Sequence, residues 1–441
     1  MKRTLALCVL LVLAGCAAPV ADEGTEDELG AVAGVTTDEA VTTTEGTLSV
    51  AQLQVLVHRA MARIEVVREV NYEESVEVDV ISRAEYAESG PDFGVDDPDW
   101  ADARWEALFV VGEDRNASEV VEREFSGRVQ GYYSPTEDRV VVVGDIARLD
   151  TETLVHELVH ALQDQTVGFP ADGDTADAEL ARDALVEGEA ELVTERYFDR
   201  CGVVWSCYRT GADSPPAGTD GERAVNGDGP DRIDAGLALL LLFPYDAGPP
   251  FVDAVQDRGD WRAVDGLHET PPASSAQILH PESYPDTTPA NVTLPDRSGA
   301  HWDRLNRTPA TDTLGEAAIY AMLRHNGVVD VTGREPYHHP FAAGWAGDAF
   351  RAYEGENGTA GYVWETEWET ATDAAQFEFA YTDVLASRGA VERGESRYVV
   401  PAGPFADVFR VTRSETTVRV VNGPTVESLS AIHSPRRSPR G

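Results

Sequence analysis

The chain has almost no lysine: Lys2 is the only one in 441 residues, and every other one of the 35 basic side chains is arginine. Basic charge is scarce altogether, with 35 Lys and Arg against 78 Asp and Glu, a formal net charge of −43. A surface of that sign repels phosphate backbones, which excludes nucleic-acid binding through Lys and Arg stripes. Carboxylates without flexible ammonium groups are the composition of a protein from salt-saturated water, where ionic strength screens the repulsion, and we read the chain as haloarchaeal. Its longest apolar runs, Thr4 to Leu13 and Leu237 to Phe243, fall short of the about 20 residues that a spanning helix needs. Yet 42% of the residues are hydrophobic and 8% aromatic, enough to bury a core, so disorder throughout is excluded.

The positive start Met1-Lys2-Arg3 and the apolar run after it read as an export signal over residues 1–15. Leu13-Ala14-Gly15-Cys16 resembles the lipobox of bacterial and archaeal lipoproteins, which implies a lipidated Cys16 and an anchor on the extracellular face of the cell membrane. Residues 16–47 are rich in Thr and acid and poor in large apolar side chains, and are expected to be a disordered tether. Asn116, Asn291, Asn306 and Asn357 head sequons, which permit glycosylation at an extracellular surface. Cysteine is scarce too. Of the four, Cys8 leaves with the signal and Cys16 is the lipid site, so Cys201 and Cys207 are expected to form a disulfide.

Residues 48–433 are expected to fold as one domain, with 434–441 a basic flexible tail. Apolar spacing predicts helices over Ser49 to Arg68, Thr151 to Gln165 (capped by Asp150), Ala178 to Tyr197, Leu314 to Arg324 and Ala371 to Leu385. Val76 to Ile81 reads as a strand, Gly127 to Val143 as a hairpin, Val408 to Val421 as strand, and 211–231 as a loop. The class is α+β with helices dominant.

The helix after the hairpin carries His156-Glu157-Leu158-Val159-His160. Side chains four apart share a helical face, so both imidazoles can address one ion, and the glutamate can act as general base on its water. Leu154, Leu158, Ala161 and Leu162 give the same helix a separate buried side. A catalytic zinc needs a third protein ligand. The next helix offers Glu187, Glu189 and Glu191, of which Glu187 and Glu191 share a face.

HExxH followed by a helix with Glu-Gly-x-Ala, here Glu187-Gly188-Glu189-Ala190, is similar to the gluzincins, the thermolysin-like and aminopeptidase-like zinc peptidases. That resemblance implies Zn²⁺ held by His156, His160 and Glu187, Glu157 as the base that activates zinc-bound water, and Glu191 as a partner that orients a ligating histidine. The span from His160 to Glu187 exceeds the usual gluzincin spacing, and Gly168 to Asp174 is expected to loop out. The segments His156 to Gln165, Ala184 to Ala190, Phe243 to Val252 and Gln277 to Tyr284 together resemble a group of bacterial and haloarchaeal HExxH proteins that share a Leu-Gln-Asp-Gln extension (Leu162 to Gln165) and a Leu-His-Pro-Glu stretch (Leu279 to Glu282). The implied fold is zincin-like, a helix-rich two-lobed domain with a small antiparallel sheet beside the HExxH helix.

The expected function is peptide-bond hydrolysis of a peptide or protein substrate. The strand Arg139 to Val143 is the expected backbone-binding edge, and Tyr245, His280 and Tyr284 are candidates for a transition-state donor. The alternative is a non-catalytic surface or adhesion lipoprotein on the same scaffold, which the acid surface and anchor fit equally well.

Overall fold

The computed structural model describes residues 29–41, 48–90, 97–126, 129–146, 149–208, 235–330, 337–356 and 358–434. The export signal, Cys16, the loop 211–231, Asn357 and the tail from 435 lie outside them. Among the described residues, eleven α-helices and twelve strands make an α+β fold, and no helix is long and apolar enough to cross a membrane.

The helices near the motif start where short side chains can cap them. Ser49 and Gln52 form a reciprocal capping box at α1 (Val50–Arg68), Asp150 accepts the Glu152 N–H at α5 (Thr151–Thr166), and Thr175 accepts that of Ala178 at α6 (Ala176–Asp199). Between α1 and α5 lie α2 (Arg83–Ser89), α3 (Pro98–Ala107) and α4 (Ala117–Ser126). The apolar stretch at Leu237 opens a much longer helix, α7 (Ala235–Glu269), which takes Pro244, Pro249 and Pro250 in its body and breaks at Gly259 and Asp260. Helices α8 (Ser275–Leu279), α9 (Gly315–His325), α10 (Ala371–Ser387) and α11 (Val426–Ile432) follow.

The tether expectation fails for residues 29–41. Strands β1 (Ala31–Val32) and β2 (Val35–Thr36) pair as a hairpin on α1, tied by Gly30 N–H to Glu65 Oε2 at 2.9 Å and by Arg63 Nε to the Thr37 carbonyl at 2.8 Å. The hairpin segment thereby covers Arg59, Arg63 and Glu65 on the polar face of α1, while Arg68 is buried against Glu189 and Trp261. A helical period marks a polar face but not what will lie against it.

The sheet beside α5 has the order β3–β5–β4, from β3 (Glu77–Ile81), β4 (Gly131–Ser134) and β5 (Arg139–Val143). It is mixed rather than antiparallel, because β3 runs parallel to β5. Arg139 to Val143 is consequently the central strand and cannot be a substrate edge; the edge next to α5 is β4.

A second, larger sheet was only partly legible in the sequence. Seven antiparallel strands are ordered β6–β7–β8–β12–β11–β10–β9, from β6 (Trp302–Arg304), β7 (Trp345–Gly355), β8 (Ala360–Trp368), β9 (Val391–Glu392), β10 (Arg397–Val399), β11 (Val408–Ser414) and β12 (Thr417–Gly423). Strands β7 and β8 are buried along almost their whole length, so they lack the alternation that betrays a half-exposed strand. Trp368 stacks on Phe377 of α10 with ring centroids 4.9 Å apart. One apolar core continues from this sheet through α5, α6 and α7 to α1, so the expected two lobes share a single interior.

Asp312, fully buried, fastens the sheet region to the start of α6. Its carboxylate accepts the Ala176 N–H at 2.7 Å and the Trp100 indole N–H at 3.1 Å, and pairs with Arg307. Just beyond the other end of α6, Cys201 and Cys207 are joined as a disulfide. Asn291 and Asn306 are exposed, while the Asn116 side chain is engaged as an N-terminal cap on Glu119.

Candidate metal centre

His156 and His160 lie one turn apart on α5 and present the same ring nitrogen to one point. Their Nε2 atoms are 3.2 Å apart, and Glu187 Oε2 sits 3.0 Å from the first and 3.4 Å from the second. Three ligands about 2.0–2.1 Å from one tetrahedral ion stand about 3.3 Å from each other, so this triangle has the size that zinc requires. The donor set, two imidazoles and a carboxylate, also suits that ion.

The rest of each ring is held. Glu191 Oε2 lies 3.4 Å from His156 Nδ1, and Gln163 Oε1 lies 2.8 Å from His160 Nδ1. An acceptor at Nδ1 keeps the hydrogen there and leaves the Nε2 lone pair for a metal. Gln163 donates in turn to the Val186 carbonyl at 3.0 Å and to Glu189 Oε2 at 2.9 Å. Glu189 is itself bound to Arg68 at 2.6 Å and His268 at 2.8 Å, so it is a buried anchor and not a ligand. At 100° per residue the three glutamates are dealt to the metal point, the interior and the outer imidazole edge.

The Leu-Gln-Asp-Gln extension acquires a physical account here. Leu162 is core, Gln163 orients His160, Asp164 accepts the Tyr133 hydroxyl at 2.8 Å, and Gln165 accepts the Glu73 and Glu74 N–H groups at 3.0 and 3.2 Å.

Glu187 is brought to α5 by a loop and a close helix crossing. Residues 167–175 loop out between α5 and α6, and Phe169 in that loop packs its ring 6.3 Å from His160. Gly188 meets Gly248 of α7 where both helices lack side chains: a Cβ on Gly188 would stand 2.4 Å from the Gly248 carbonyl carbon, and one on Gly248 only 2.2 Å from the Ala184 carbonyl oxygen. Gly188→Ala should push the helices apart, costing about 1–3 kcal/mol in chemical denaturation and weakening zinc retention together. Wild-type stability in that variant would contradict the crossing as drawn.

Residues 303–433 match a family described as a domain of unknown function (DUF8575). That stretch runs from β6 through α11, and every member of the His/Glu centre precedes it. No curated protein and no solved structure shows detectable similarity to the chain. The matched domain supplies the larger sheet and, through Asp312, the cap on the helix that carries Glu187.

Electrostatics favour a cation at the centre. Burial opposes charge on His156 and His160, yet Glu187 and its neighbours outweigh it and raise both histidines above their ordinary value. Burial raises Glu187, but His160 and His156 pull it well below the usual carboxylate range. In the metal-free state protons on the rings thus balance the carboxylates, and a divalent ion must displace them. Apparent zinc affinity should therefore climb with pH through the raised histidine range and fall in acid. Calorimetry in buffers of different ionisation heat should detect proton release on binding at neutral pH, and none would show that the rings were already neutral.

Glu157 lies outside the triangle. Burial raises its pKa, and its carboxylate accepts a hydrogen bond from the Tyr133 backbone N–H on β4. Val143 N–H donates to the Gln130 carbonyl at 2.7 Å, so by alternation Gly131 and Tyr133 turn their backbone groups away from β5, towards the centre. Gly131 is needed there, since a Cβ would meet Thr153 Cγ2 at 2.7 Å and Glu157 Cγ at 3.1 Å.

Of the three donor candidates only Tyr245 reaches the centre. It leaves α7 one turn before Gly248, its ring centroid lies 6.2 Å from that of His156, and its hydroxyl bonds to Glu187. The residue as a whole is 44% exposed, but its hydroxyl end is buried, and that burial with the nearby Glu187 and Glu157 raises the hydroxyl pKa well above the ordinary value. His280 instead pairs with Glu316 at 3.1 Å, and the Tyr284 hydroxyl donates to the Thr270 carbonyl at 2.6 Å. Sequence reasoning named Glu189 only as a candidate ligand and Gln163 only as part of the Leu-Gln-Asp-Gln extension, and missed His268 altogether. The Gln163 position, three after His160, was the one available signal.

Proposed function

We propose that the protein is a zinc metallohydrolase of gluzincin type that cleaves peptide bonds, held on the extracellular face of the membrane by a lipid on Cys16. The observation that carries the reading is the convergence of His156 Nε2, His160 Nε2 and Glu187 Oε2 at 3.0–3.4 Å, with Glu157 beside but outside that triangle. Bound zinc would supply a Lewis acid for the scissile carbonyl and lower the pKa of a water towards about 7.

The chain's own residues do the remainder. The outward backbone groups of Gly131 and the outward carbonyl of Tyr133 align an extended substrate antiparallel to β4, while the Tyr133 N–H holds Glu157. Glu157 takes the proton from the attacking water as its oxygen joins the carbonyl carbon. The same carboxyl then returns the proton to the amine as the C–N bond breaks. Tyr245, fixed on Glu187 in the resting state, turns its hydroxyl to the developing oxyanion.

The test is metal content and turnover together. Wild-type protein in molar NaCl should carry stoichiometric zinc and cleave a denatured protein substrate, and Glu187→Ala should lose both. Zinc without any turnover across a peptide library would favour the non-catalytic surface lipoprotein. Protein that refuses zinc would overturn the centre itself.

A further inference from the structure

A second group of carboxylates lies away from the His/Glu centre, where the end of α3 meets the larger sheet. We propose that Glu106, Glu113 and Asp407, with the amide of Asn422, form a site for a hard divalent cation of the Ca²⁺ or Mg²⁺ class that clamps the α3–α4 segment to the C-terminal sheet.

One carboxylate oxygen from each of the three acids lies within 4.8 Å of the others. Glu106 and Asp407 are only 6% and 4% exposed, while Glu113 reaches solvent and leaves an entry path. Backbone packing assembles them: Gly112 is pressed on Pro404, and Glu113 N–H donates to the Pro404 carbonyl at 2.9 Å. The fold thus forces like charges together from two distant parts of the chain. Burial, then Asp407, Glu113 and Asp102, all push the pKa of Glu106 well above the usual range. Burial and Glu113 likewise raise Asp407 to about 7, opposed only by its bond to Asn422. Buried carboxylates in this position must either bind protons or be neutralised by a metal.

Asn422 is an independent pointer. It sits on β12 opposite Tyr362 and Phe409, on an inner face that it shares with the apolar side chains of Val418 and Val420, and is 0% exposed. Its Nδ2 donates to Asp407 Oδ2 at 2.8 Å, but its Oδ1 has no partner among the described residues. A fully buried orphan oxygen is costly, and it has the chemistry of a calcium ligand. Rotation of the amide exchanges nitrogen for oxygen at Asp407. The donors are all oxygen, with no imidazole or thiolate, which selects a hard ion over zinc; water would complete the shell.

The test uses the full chain, stripped of metal, refilled with one equivalent of zinc and held in molar NaCl. CaCl₂ or MgCl₂ is then added while bound ion and thermal midpoint are read. One ion per chain and a rise of several degrees are expected with at least one of the two salts. Asp407→Asn and Glu113→Gln should each weaken that response by about tenfold or more, and the exposed control Asp303→Asn should leave it unchanged. Glu113 is exposed, so its variant serves if Asp407→Asn does not fold. A wild type indifferent to both salts would overturn the site and leave an acid cluster that holds protons. Equal binding by wild type and both variants would also overturn it, by placing the ion elsewhere on the acidic surface.

Discussion

Glu157→Gln should fold, keep its zinc and hydrolyse substrate about 10²–10⁴-fold more slowly, a barrier increase of about 3–5 kcal/mol. The carboxylate touches the Tyr133 N–H and is absent from the ligand triangle, so an amide of the same shape preserves the bond to β4 and leaves the three donors in place. What it removes is the ability to accept a proton. Zinc content measured beside kcat separates the outcomes: unchanged turnover would strip Glu157 of its role, and lost zinc would make it structural.

The largest stability effect is expected two residues beyond Glu187. Glu189→Ala should cost about 3–5 kcal/mol in denaturant unfolding, because His268 would be left in the interior without its carboxylate and Arg68 would keep only the half-exposed Asp265. Gln163 would lose one of its two acceptors, and through it the hold on His160 Nδ1 would loosen. Zinc affinity should therefore fall too, by about 10–100-fold, as is usual when a ligand's support is removed. A fall in affinity without a fall in stability would mean instead that Glu189 enters the coordination shell.

The two glutamates illustrate how much was legible. The paired imidazoles and their adjacent base follow from helical period within five residues of one helix, and the caps at Ser49 and Asp150 are equally local. The resemblance carried by Glu187-Gly188 pointed to the carboxylate that the fold places beside the two imidazoles, but the reason Gly follows Glu is visible only where α7 crosses at Gly248. Arg139 to Val143 looked like an edge because its own sequence is strand-like, and pairing on both sides, which made it central, is set by β3 some sixty residues away.

Composition and local period alone determined the net acidity, the α+β class and the side of the HExxH helix that carries both imidazoles, since each depends on residues a few positions apart. Tertiary structure alone decided that β4 is the free edge and Tyr245 the hydroxyl at the centre. It also decided that Glu189 is an anchor and that Glu106, Glu113 and Asp407 come together, with Asn422 bonded to the last of them. Those outcomes depend on which distant segments pack together, and burial, which turns an ordinary carboxylate into an anchor or a ligand, is a property of the packing rather than of the side chain.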